Sequence, residues 1–135
     1  MKPLATALLT GVLTVAGLVA PGLPVATAGD ADYGRVWARD RALRDGCHHY
    51  DYHYRVRPPT SSWALETFLH DRRGKTVASD ALLAPHDEKK GRSVFRLCRY
   101  NTVPGRFTIR AKLTWKDGWD THEKWIAPGR FRMHR

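Results

Sequence analysis

Only three glutamates and two cysteines occur among the 135 residues, and both shortages narrow the chemistry open to the chain. No pair of carboxylates at glycosidase spacing can be argued from so few glutamates. Two thiols alone do not complete a tetrahedral zinc site. Neither G-x-S-x-G nor H-E-x-x-H occurs, and Ser61, Ser62, Ser79 and Ser93 lie in no nucleophile-elbow context. Long internal repeats are absent too. With 42% hydrophobic residues the chain is too apolar to be disordered, and with 27% charged residues it is too polar for a multi-span membrane protein. Its length allows one ordinary domain.

A further absence is positional: no charged residue lies between Lys2 and Asp30. The apolar run from Leu4 to Ala20 is followed by Pro21, Gly22 and Pro24, and then by Ala26 and Ala28 in an A-x-A arrangement. This is the pattern of a secretory signal helix, with cleavage expected near Ala28. The alternative is an uncleaved anchor, because the run approaches the lower limit for a membrane span, roughly 17 residues. Thr10, Gly11, Thr14 and Gly17 dilute the run and favour cleavage. No lipoprotein cysteine follows it and no Arg-Arg pair precedes it, so the general secretory route is expected. The reading is therefore a signal peptide over 1–28, an N-terminal segment over 29–45 and a β-domain over 46–135. The processed protein is extracellular and has no stable transmembrane span.

Export gives the two cysteines a meaning, since an even pair in an oxidising compartment reads first as a disulfide, Cys47 to Cys98. From Cys47 onward the apolar period is two. Tyr50, Tyr52, Tyr54 and Val56 alternate with polar residues until Pro58-Pro59, and Trp63, Leu65, Thr67 and Leu69 form the next stripe before the turn Asp71–Gly74. A weaker strand covers Val77 to Leu83, and Phe95 and Leu97 mark another. Pro104-Gly105 opens the clearest one, with Phe107, Ile109, Ala111, Leu113 and Trp115 on one parity. Asp117-Gly118 is a two-residue hairpin signal, and short strands follow to Ile126 and through Phe131 and Met133. The pattern predicts an all-β, single antiparallel sandwich of six to eight short strands, with helices nearly absent. Within 29–45 an edge strand near Val36 is favoured over two turns of helix. By the same parity both cysteines fall off the core face, so the disulfide is expected to be a peripheral staple between neighbouring strands or strand ends.

Three groups of side chains merit attention as sites. His49, Asp51 and His53 share one strand face, nearly 7 Å apart in succession. They are the candidate metal or catalytic group, with His70, Asp120 or His122 as ligands from elsewhere, against the plainer reading of a solvated strand face. Arg55, Arg57, Arg106, Arg110, Lys112, Arg130 and Arg132 all lie on outward parity and would form an anion-binding ridge if their strands were neighbours. The competing reading is general solubility, since 16 of the 23 basic residues are arginine, as a GC-rich genome would produce. The tryptophans, including Trp119 and Trp125 beside the hairpin, are expected to pack hydrophobically.

Taken together, Cys47 to Tyr54, Pro58-Pro59, Trp63-Ala-Leu65, Asp71 to Gly74, Phe95-Arg-Leu-Cys98 and Pro104-Gly-Arg-Phe-Thr-Ile109 resemble small secreted actinobacterial proteins of immunoglobulin-like or pre-peptidase-like β-sandwich type. The resemblance covers nearly all of the chain after residue 28. It implies a secreted β-sandwich of a kind mostly without assigned activity, and it transfers no functional residue. The expectation is a basic, monomeric, non-catalytic extracellular module that binds an anionic polymer or a secreted protein and needs no cofactor. The alternatives are a small hydrolase or metal-binding protein using His49, Asp51 and His53, and an inhibitor presenting the loop 84–92 to a secreted enzyme. Sequencing the exported protein from its amino terminus should return Gly29 as the first residue; a chain that keeps residues 1–28 points to the anchor.

Overall fold

A computed structural model of the protein describes residues 29–135; the expected signal segment 1–28, with Ala26 and Ala28, lies outside the described residues. Nine strands follow in order: β1 (Asp30–Trp37), β2 (Arg41–Ala42), β3 (Cys47–Val56), β4 (Trp63–His70), β5 (Thr76–Leu83), β6 (Lys90–Cys98), β7 (Gly105–Asp117), β8 (Asp120–Ala127) and β9 (Gly129–His134). A three-residue 3-10 turn, Arg99–Asn101, is the one helical element among the described residues.

The hub is β7, whose 13 residues reach three partners. One edge pairs with β4 from Trp63↔Trp115 to His70↔Thr108. The other edge is divided, its first half pairing with β9 and its second half with β8 across the Asp117-Gly118 hairpin. Beyond these, β5 extends β4 and β2 extends β9. At its far end β8 leaves β7 and pairs with β1, which pairs with β3, which pairs with β6. The result is an open nine-stranded sheet that folds over on itself in a β-sandwich-like arrangement.

Alternation decides what lies inside. Phe107, Ile109, Ala111 and Leu113 of β7 have no exposed surface, and they meet Tyr52, Leu65, Leu69 and Met133 in one core. Burying a side chain of this size stabilises the fold by roughly 1.5–3 kcal/mol.

Three expectations change. The strands number nine rather than six to eight, and the sheet is mixed, because β1 pairs with β8 and β2 with β9 in parallel. The segment 29–45 holds a strand through Val36 as favoured, but that strand, β1, is interior, lying between β8 and β3. Gly34 permits this: at φ 142° it takes a conformation that L side chains rarely adopt, and a Cβ there would fall 2.3 Å from the Arg55 carbonyl oxygen. The Cys47–Cys98 disulfide joins register partners at the end of the β3–β6 ladder, so the peripheral staple is present. Cys47 is exposed as parity required, whereas Cys98 is buried. Alternation lapses there because β6 ends and the 3-10 turn begins.

Strands β5 and β6 do not pair with each other, and a polar clasp bridges them. The Tyr52 hydroxyl donates to Asp80 Oδ2 at 2.8 Å and lies 3.0 Å from Thr67 Oγ1. Ser93 donates to the same Asp80 oxygen at 2.5 Å. Both strands of one pair, β3 and β6, are thereby tied to both strands of the other, β4 and β5. Burial pushes the Tyr52 phenol well above its ordinary value of 10.0. A group neutral in the fold and ionised in the unfolded chain gives stability that is full below about pH 10 and declines above it. Tyr52→Phe should cost about 1–3 kcal/mol by urea unfolding at neutral pH. It should also remove the most alkaline phase of phenolate absorbance.

Candidate functional site

On the outer face of β3 the expected group His49, Asp51 and His53 is present, but a cation has taken its carboxylate. Arg41 Nη1 donates to Asp51 Oδ1 at 2.5 Å, and His53 Nε2 lies 3.7 Å from the other oxygen. Arg41 comes from β2, which the parallel pairing with β9 carries to this side. Its hydrogen bond holds the Asp51 carboxyl below the usual carboxylate range. His70 lies on β4 beside Thr76 and the Gly74 carbonyl, and His122 stacks on Trp115. Among the described residues, no three His, Cys, Asp or Glu side chains are arranged to hold a metal ion. Instead, His49, Asp51 and His53 line an open cleft of about 670 Å³ with Arg39, Arg44 and Arg92. The ion pair leaves an excess of positive charge, suited to anions.

The seven expected cations do not form one ridge; they divide between the outer faces of the two layers. Arg55 stands directly opposite Arg35 on the β1–β3 ladder, and with Arg57 they border a cleft of about 340 Å³. The other group is on β7 and β9, where Arg106 stands opposite Arg132, and Arg130 opposite Thr108. Arg110 follows on β7 and lies 4.3 Å above the Trp125 ring. Lys112 differs from its neighbours. It is 2.9 Å from Glu66 and 3.8 Å from Glu123, which raise its pKa and cancel its charge. Among the described residues Arg106, Arg110, Arg130 and Arg132 form no ion pair.

Sequence reasoning missed six of the arginines that border clefts, Arg35 on β1 and Arg92 on β6 among them. Arg39, Arg41 and Arg44 reach the first cleft through the β2–β9 pairing, and a parallel pairing leaves no trace in periodicity. Arg72 belongs to the Asp71–Gly74 turn, yet its stem lies over Gly105, where a Cβ would be 3.0 Å from Arg72 Cδ. It therefore borders a cleft of about 450 Å³ with Arg106 and Arg110. A turn residue's long reach is not encoded in its spacing.

The loop and the hairpin tryptophans remain. In the loop 84–92, Asp87 accepts the Leu83 amide at 2.7 Å, and Tyr54 donates to the Glu88 carbonyl at 2.9 Å. Trp125 packs against Phe68 and Arg110 as expected. Trp119 does not pack, being 103% exposed, because β7–β8 pairing ends at Asp117↔Asp120 and leaves it at the hairpin tip.

The Asp51 shift has a direct check by carboxyl NMR. Asp51 should titrate below 3.8 and return toward it in Arg41→Ala. Because the folded value is depressed, the pair's contribution to stability is present above the ordinary aspartate range and is lost as pH falls through the Asp51 value.

The chain matches no protein-family model and no curated protein.

Proposed function

We propose that this chain is a secreted, monomeric, non-catalytic binding module of immunoglobulin-like build, and that it docks an extracellular polyanion on the outer face of β7 and β9. The observation that carries the reading is the Arg106–Arg132 cross-strand pair, flanked by Arg130 and Arg110, none of which is ion-paired to a carboxylate among the described residues; Asp40, which borders their cleft, accepts the Arg132 amide. Like charges directly opposite each other weaken a sheet. A polyanion relieves that repulsion, and each phosphate or sulfate it brings fits the planar guanidinium fork. Association with a polymer also releases its condensed counterions, a driving force that falls steeply with salt.

The mostly antiparallel, sandwich-like sheet supports that build. It departs from an antibody domain in its disulfide, which joins neighbouring strands β3 and β6 rather than bridging the layers. A hydrolase using Asp51 fits less well, since Arg41 occupies the carboxylate. Export is supported by the A-x-A pattern ending at Ala28.

Retention of the processed protein on immobilised dextran sulfate at two salt concentrations tests the reading. Wild type should be retained at low salt, and the triple variant Arg106→Ala/Arg130→Ala/Arg132→Ala should bind at least tenfold more weakly. The salt slope should fall by roughly 2–3, as expected for three lost contacts. Elution of wild type with a neutral protein of equal size would end the proposal.

A further inference from the structure

Three of the four arginine clefts share lining residues. The cleft beside β3, bordered by Arg39, Arg44 and Arg92, shares Asp40 with a cleft of about 250 Å³ bordered by Arg130 and Arg132. That second cleft shares Arg106 with the third, where Arg72 and Arg110 lie. We infer that the three form one continuous cationic track, which turns around the β2 edge from one layer's outer face to the other's and takes a flexible linear phosphate polymer. This inference rests on the polyanion reading above and extends it to a class of ligand.

The turn of the track is fixed by two hydrogen bonds to β9. Asp40 Oδ1 accepts the Arg132 amide at 2.7 Å, and the Leu43 amide donates to the His134 carbonyl at 2.7 Å. The segment carrying Arg39, Arg41 and Arg44 is therefore held on β9 at both ends of β2. Three carboxylates border the track, and each is already engaged. Asp40 holds the Arg132 amide, Asp51 is paired with Arg41, and buried Asp71 accepts the Arg73 and Lys75 amides at 2.8 and 3.0 Å. The arginines bordering the clefts, Arg41 apart, have no carboxylate partner among the described residues.

Length argues for a polymer. From β2 through β9 and β7 to β4 is three strand spacings, roughly 14 Å, before the cleft on the β3 side is added. A single phosphate cannot bridge that distance. Shape argues for flexibility: duplex DNA, with a persistence length of about 50 nm, cannot fold over one sheet edge. A singly bonded phosphate chain can. Acidic polysaccharides place their charges on stiff rings and follow the bend less well.

The test uses the processed protein and inorganic polyphosphate chains long enough to span the track, with tripolyphosphate and a duplex DNA of matched total charge for comparison. Wild type should bind the long chain one to one, at least tenfold more tightly than either comparison ligand at the same salt. Arg39, Arg44 and Arg92 are exposed, so replacing all three with Ala should leave thermal unfolding unchanged. The same variant should weaken long-chain binding at least tenfold and lower its salt slope by about 2. Arg106→Ala/Arg130→Ala/Arg132→Ala should do the same. Wild-type affinity and slope in the Arg39, Arg44 and Arg92 variant would overturn the track while leaving the β7–β9 surface standing. Equal affinity for duplex DNA would overturn the flexible ligand. Failure of wild type to bind any of these polymers, dextran sulfate included, would remove both readings.

Discussion

The alternation of β7 is the constraint on which the rest depends. Its inner parity, Phe107 to Trp115, fills the centre of the core, and its two edges organise β4, β8 and β9. The same alternation sets Arg106, Thr108, Arg110 and Lys112 outward. A register slip of one residue would expose four fully buried side chains and bury cations in their place, so the core and the charged surface stand or fall together.

Away from that hub the sheet is open, and two kinds of fastening compensate. The disulfide fixes one end of the β3–β6 ladder, closing a loop of 51 residues, for which chain-entropy arguments give about 4 kcal/mol. The Tyr52, Thr67, Asp80 and Ser93 clasp works at the unpaired margin, where no backbone ladder joins β5 to β6. Its groups are mutually satisfied, and no buried side-chain polar atom among the described residues lacks a partner. An incompletely satisfied clasp would weaken the margin it joins.

Much of this was legible in the sequence, for physical reasons that also mark the limits. Strand positions from Tyr50 to Met133 follow from period-two burial, and the hairpin from Asp117-Gly118, because both are local. The Cys47–Cys98 pairing follows from there being two cysteines. Partner choice is non-local and was not legible. Nothing in residues 30–37 announces that β1 lies between β8 and β3, and nothing in Arg41 announces Asp51. The seven outward cations were correctly placed off the core but not grouped, since parity gives a side and not a neighbour. Lys112 illustrates the difference: its face follows from parity, and its neutralisation follows from Glu66 on β4 and Glu123 on β8. Trp119 was misread because hydrophobicity alone does not reveal that the hairpin tip extends past the sheet.

The division of β7 into an inward apolar row and an outward cationic row has an evolutionary side. Exposed positions away from caps, turns and buried networks usually tolerate substitution within about 0.5 kcal/mol. Arg106, Arg110, Arg130 and Arg132 are such positions, whereas Phe107, Ile109 and Phe131 between them are not. Descendants of this chain can therefore exchange one ligand for another by rewriting every second residue while inheriting the scaffold unchanged. Selection on recognition and selection on folding act on interleaved letters of the same short stretch.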